Sequence, residues 1–95
     1  MAAYIIVQIT VNDEAAYARY REGVPRTIKK FGGEYVVRGG DMEVLEGEWK
    51  MPRCVVLRFP DIASARAWYN SNDYEGLKAV RHAAAASNAI LIEGI

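Results

Sequence analysis

Whatever chemistry this sequence performs must come from few side chains, because it holds a single histidine and a single cysteine. Arg81 stands first among the candidates. On a helix starting near Asp73 it shares a face with Tyr74, Leu77 and Ala84, and so points to an apolar interior. A guanidinium cannot shed its charge, so burial demands an anion or an ordered set of acceptors. Arg81 could therefore clamp a substrate carboxylate or enolate. The competing reading is an ion pair with Glu46 or Glu93, or a stem that snorkels to water. Arg38 stands just before Gly39-Gly40, where the backbone can bend sharply or be approached closely. There it could grip an anionic group bidentately at a pocket rim, or pair across a hairpin with Glu46 or Glu43.

The aromatic residues Tyr17, Tyr20, Trp68, Tyr69 and Tyr74 supply apolar walls with polar tips. Tyr17 and Tyr20 are three apart on one helical stripe, so their hydroxyls can converge in one cavity, although such a stripe also suits core and dimer packing. Trp68 and Tyr69 are adjacent and cannot both face fully inwards. His82 falls on the polar face with Glu75 and Lys78, where it is a solvated side chain rather than a catalyst. Cys54 reads as a small buried hydrophobe, and Asp41 and Glu46 as exposed hairpin charges. Arg38, Arg81, Trp68, Tyr17 and Tyr20 are thus the candidate ligand-binding residues. No side chain is assigned a catalytic role.

Several function classes are excluded by composition and motif. One cysteine and one histidine cannot build the common zinc or non-haem iron sites, and no phosphate-binding loop or nucleophile elbow is present, so neither a metal nor a cofactor is expected. Twelve basic and twelve acidic residues cancel, which leaves no field to attract nucleic acid or anionic lipid. The start, Met1 to Gln8, has no basic region before its apolar run, so neither a leader nor a membrane span is expected, and a reducing cytoplasmic setting follows.

Ninety-five residues suffice for one domain, 1–95. Alternation from Tyr4 to Val11 predicts a strand with an aliphatic face of Ile5, Val7, Ile9 and Val11. Asn12 or Asp13 caps a helix whose stripe is Tyr17, Tyr20, Val24, Ile28 and Phe31, kinked or divided by Gly23 and Pro25 and ended by Gly32-Gly33. Glu34 to Arg38 is a strand, Gly39-Gly40-Asp41 a turn, Met42 to Glu46 extended again, and Arg53 to Phe59 a strand after a hairpin loop. Asp61 caps a helix over Ile62 to Tyr69. Asn72, with Glu75 three residues on, opens a further helix from Asp73 to about Ala86, and Ala89 to Glu93 is the last strand. The order is βαββαβ, an α+β ferredoxin-like domain whose four-stranded antiparallel sheet has helices on one face. The other face carries groups such as Tyr4 and Ile6, or their alternates, since which face of each strand meets the helices is left open. Covering it with a second copy predicts a homodimer.

Particular residues carry a resemblance as well. Val37-Arg38-Gly39-Gly40, Leu45-Glu46-Gly47, Arg53 before a strand ending Phe59-Pro60, Trp68-Tyr69-Asn70-Ser71 with Tyr74, Arg81 and Ile92-Glu93-Gly94 follow in order. The chain resembles the small bacterial family known as domain of unknown function thirteen-thirty, of the dimeric α/β-barrel superfamily. The resemblance implies a ferredoxin-like subunit whose sheet pairs with a second copy to close a barrel. It implies no one activity, since the wider superfamily includes cofactor-independent monooxygenases, haem-degrading enzymes, isomerases, peroxidases and effector-binding modules. Three readings follow: a cofactor-independent enzyme acting on a small anionic metabolite, with Tyr17 or Tyr20 moving protons; a ligand-binding module without turnover; and a structural dimer.

Overall fold

The strand β1 (Ala3–Val11) sorts its residues by parity. Ala3, Ile5, Val7 and Ile9 are buried, and Tyr4, Ile6, Gln8 and Thr10 between them are only half-covered. That pattern needs a sheet with helices on one side only. The computed structural model, which describes residues 1–95, has this arrangement. After β1 come α1 (Glu14–Lys30), β2 (Glu34–Arg38), β3 (Arg53–Phe59), α2 (Ile62–Tyr69), α3 (Asn72–Ala84) and β4 (Ala85–Glu93). The strands are antiparallel in the order β2-β3-β1-β4. It is the expected ferredoxin-like order, with the second helix in two parts. The buried side chains of β1 and β3 meet Tyr17, Tyr20, Val24 and Ile28 of α1, Ala65 and Trp68 of α2, and Tyr74 and Ala84 of α3 in one core.

The expected division of α1 does not occur: the helix runs unbroken through Pro25. Proline cannot donate to the carbonyl four residues back, here that of Arg21. Arg38 Nη2 donates to that same oxygen at 3.2 Å and fills the gap from across the fold. Gly23 has a packing cause, because a Cβ there would press within 2.8 Å of the Leu77 side chain of α3. It allows close approach of the two helices.

Three boundaries also move. Met42 to Glu46 joins no strand; it lies in an exposed loop between β2 and β3 with Leu45 84% exposed, since no neighbouring strand accepts its backbone. The cap of α3 is Ser71, whose hydroxyl accepts from the Tyr74 N–H at 3.2 Å, not Asn72. The helix then stops at Ala84, whose carbonyl accepts the Asn12 and Asp13 N–H groups at 2.8 and 3.0 Å. Ala85 turns extended, so β4 begins four residues before the predicted Ala89 and pairs along the whole of β1.

The face away from the helices carries an apolar row in register across all four strands. It runs Val37, Val56, Ile6 and Ile90, with Ile92 beside it. Val37, Ile90 and Ile92 are 38%, 55% and 49% exposed. No helix is long and apolar enough to cross a membrane.

Candidate functional site

Arg81 arrives in the core because α3 places it seven residues after Tyr74, on the same face. It is 3% exposed, the one charged residue among the buried set. Its Nε donates to Tyr74 Oη at 3.3 Å and its Nη1 to Ser87 Oγ at 2.5 Å. Neither the predicted alternative partner Glu46 nor Glu93 reaches it. The ion pairs of the chain are Lys30–Asp73, Arg58–Glu34 and Lys78–Glu75, all elsewhere. Glu46 sits in the exposed loop, and Glu93 closes β4 at the end of the sheet remote from Ser87. Arg81 is therefore a buried cation whose partners are two neutral hydroxyls. Burial opposes its charge, but the phenols of Tyr74 and Tyr20 outweigh that and hold its proton above the ordinary guanidinium value.

Around it the aromatic residues form a continuous layer. Tyr20 and Tyr74 share a hydrogen bond at 2.7 Å between hydroxyls. Trp68 stacks on Tyr74 with ring centroids 4.0 Å apart, and its Nε1 donates to Thr27 Oγ1 at 2.9 Å. Tyr17 lies 5.4 Å from Tyr20, ring to ring. Trp68 is buried and Tyr69 half-buried, as adjacent helical positions require. Burial, reinforced by the Tyr74 hydroxyl, pushes the Tyr20 phenol far above its ordinary range.

Between the layer and the sheet runs a slot of about 30 Å³, lined by Tyr17, Tyr20, Trp68, Tyr74 and Arg81 among aliphatic side chains. Arg21 and Arg81 are its only charged residues. Beside the slot lies an open vestibule of about 370 Å³, and Ile9, Tyr17 and Arg21 line both. Thr10, Val11, Glu14, Pro52 and Arg53 complete the vestibule.

Four of the five predicted residues, Arg81, Trp68, Tyr17 and Tyr20, thus come together. Arg38 does not line the slot. It holds the Arg21 carbonyl and lies over the Tyr35 ring at 4.4 Å, rather than pairing with Glu43 or Glu46. The Tyr35 phenol is raised above its usual value by burial, with Arg38 working against that. His82 is exposed as expected. Cys54 is half-covered on the outer sheet face opposite Gln8, not in the core. No three His, Cys, Asp or Glu residues cluster as metal ligands would. Sequence reasoning passed over Arg21 and Arg53 as site residues. The signal was present: Arg21 is one turn on from Tyr17, and Arg53 shares its parity with the buried Val55, Leu57 and Phe59.

The family described as "Domain of unknown function (DUF1330)" matches residues 2–95. A solved protein of unknown function from Rhodopseudomonas palustris is similar over 99% of this chain and 82% of its own, with a TM-score of 0.81 and 17% identity. A dimeric ferredoxin-like protein of unknown function from Jannaschia sp. CCS1 is similar over 99% of this chain and all (100%) of its own, with a TM-score of 0.67 and 14% identity. SnoaB, a cofactor-independent oxygenase from Streptomyces nogalater, is similar over 99% and 93%, with a TM-score of 0.61 and 15% identity. At such identities the likeness is one of fold. No curated protein matches the chain.

Proposed function

The chain belongs to the DUF1330 family, and from its pocket we propose that it is a homodimer that binds a small organic anion on Arg81. The observation that carries the reading is the burial of Arg81 without a carboxylate. A guanidinium has five N–H donors, and the chain engages two of them, both with neutral oxygens. A charge in that position lacks the counter-charge that normally compensates desolvation. A carboxylate or enolate oxygen from a ligand supplies it. The slot has room for such a head group, and the vestibule falls in the usual size range for a small-molecule site.

Turnover is a second reading, favoured by one property of the slot. Fixed positive charge, with the one hydroxyl proton that the Tyr20–Tyr74 bond leaves free, stabilises an oxyanion, the usual electrostatic route to rate acceleration. No carboxylate or imidazole lines the slot, so a substrate would have to arrive already ionised, as a phenolate or enolate does. A cofactor-independent oxygenase is among the structural neighbours, which supports turnover by analogy of fold only.

The dimer reading rests on the outer sheet face. Its in-register row of Val37, Val56, Ile6 and Ile90 is the contiguous apolar surface that a second copy would bury, and the Jannaschia protein is dimeric by description.

The test of the pocket is an NMR titration with benzoate of the wild type and of Arg81→Met. Binding should weaken at least tenfold in the variant, and equal affinity would overturn the assignment. Sedimentation at micromolar concentration should give a dimer, and a stable monomer would remove the assembly.

A further inference from the structure

We infer that the ligand carries two anionic groups, the inner on Arg81 and the outer in the vestibule between Arg21 and Arg53; this rests on the anion reading above and adds the substrate class. Arg21 and Arg53 both converge on the Tyr17 ring, with Cζ atoms 5.8 and 5.7 Å from its centroid. Two like charges on one ring repel, and no carboxylate of the chain pairs with either arginine. Glu14 is the only acidic residue lining the vestibule, and it is exposed and forms no ion pair with either arginine. Arg53 Nε is moreover buried with no acceptor, the only side-chain nitrogen or oxygen in the chain in that state. Buried donors are rarely left unmade in native proteins, and each such instance needs a cause.

The backbone is shaped to keep the arginine there. Gly39 has φ +69°, and a Cβ at that position would collide with the Arg53 guanidinium. A residue other than glycine would thus be strained and would also displace Arg53. The seat is built for a guanidinium, although the guanidinium has no anionic partner within the protein. A planar fork with free donors suits an oxyanion such as carboxylate.

One ligand can reach both arginine sites because Arg53 and Ser87, the partner of Arg81, flank Ile9 in register on either side, and Tyr17 and Arg21 line both spaces. The body joining the anionic groups lies against the Tyr17 ring, which calls for a flat apolar core. The class is therefore a compact, conjugated or aromatic dicarboxylate-like dianion.

The experiment compares benzoate with isophthalate, its dicarboxylate counterpart, by NMR titration of wild type, Arg53→Met and Arg81→Met, with melting temperatures taken without ligand. Isophthalate should bind the wild type at least tenfold tighter than benzoate. Arg53→Met should abolish that advantage and melt no lower than wild type. Should Arg53→Met fail to fold, Arg21→Gln, on the exposed face of α1, takes its place with the same expected loss of the isophthalate advantage. Equal binding of the two acids to the wild type, or an isophthalate advantage that survives Arg53→Met, would overturn the outer site. In that case benzoate binding that still depends on Arg81 leaves the single-anion reading standing. Benzoate binding indifferent to Arg81→Met removes both.

Discussion

Replacing Arg81 by methionine keeps the length of the stem while removing the charge and the donors, so it separates a structural arginine from a ligand-binding one. Were Arg81 part of a buried ion pair, deleting it would strand a carboxylate and cost about 3–5 kcal/mol. Its actual partners are Tyr74 Oη and Ser87 Oγ. Tyr74 Oη keeps its bond to Tyr20 in the variant, and Ser87 is only half-covered and can turn to water. The loss is then two hydrogen bonds from a charged donor, gross about 3–6 kcal/mol at most. Against it stands relief of an uncompensated burial penalty of several kcal/mol. The net change should lie within about 1 kcal/mol of zero, which for a domain of this size is a shift of melting temperature of less than about 8 °C. Binding of benzoate, by contrast, should fall by the worth of a charged hydrogen bond, about 1.5–3 kcal/mol, or about 10- to 150-fold. Urea denaturation and NMR titration on the same protein read the two quantities. A variant that loses more than about 3 kcal/mol of stability yet binds benzoate unchanged would refute the reasoning.

Other consequences are as direct. Tyr74→Phe removes the acceptor of Arg81 and the partner of Tyr20; it should cost about 1–3 kcal/mol, more than Tyr20→Phe, which leaves Tyr74 and Arg81 joined, and urea melts order the two. The folded pKa of Tyr20 is raised, so its stabilising share is whole below pH 10, the ordinary phenol value, and is lost as pH rises further. Unfolding free energies from urea melts should fall above pH 10 with a slope approaching about 1.4 kcal/mol per pH unit from Tyr20, with a smaller part from half-covered Tyr35, and Tyr20→Phe should flatten the slope. Arg38→Ala should destabilise by about 1 kcal/mol and by less in a Pro25→Ala background, where the substitution restores a backbone N–H to bond the Arg21 carbonyl; a double-mutant cycle with no coupling contradicts that link. Ile90→Lys, on the outer sheet face, should turn the proposed dimer into a folded monomer by sedimentation.

The fold was legible because each of its elements announces itself locally. Parity in Ile5, Val7 and Ile9, the stripe from Tyr17 to Ile28, and the caps Asp13 and Asp61 are signals within a single element. The burial of Arg81 was legible for the same reason, as a position on the Tyr74 face. Its partners were not. Ser87 reaches it only because β4 starts early, and that start is fixed by the turn after β1 taking the Ala84 carbonyl, a contact between distant parts of the chain. The role of Arg38 was hidden in the same way. Pro25 pointed to a defect in α1, but nothing local says that a side chain from β2 mends it. Gly39 was recognised as a place of close approach; what approaches it, the Arg53 guanidinium, depends on the register of β2 against β3. Local periodicity thus assigned faces, and tertiary pairing decided which polar atoms were satisfied.

The central claim, a small organic anion seated on buried Arg81, is tested most directly by a crystal of the protein soaked in 4-bromobenzoate and measured at the bromine edge. The account predicts an anomalous peak in the vestibule beside Tyr17, with the carboxylate at hydrogen-bond distance from the Arg81 guanidinium. Bromine found only on the outer surface, with the slot unchanged at saturating ligand, would contradict it.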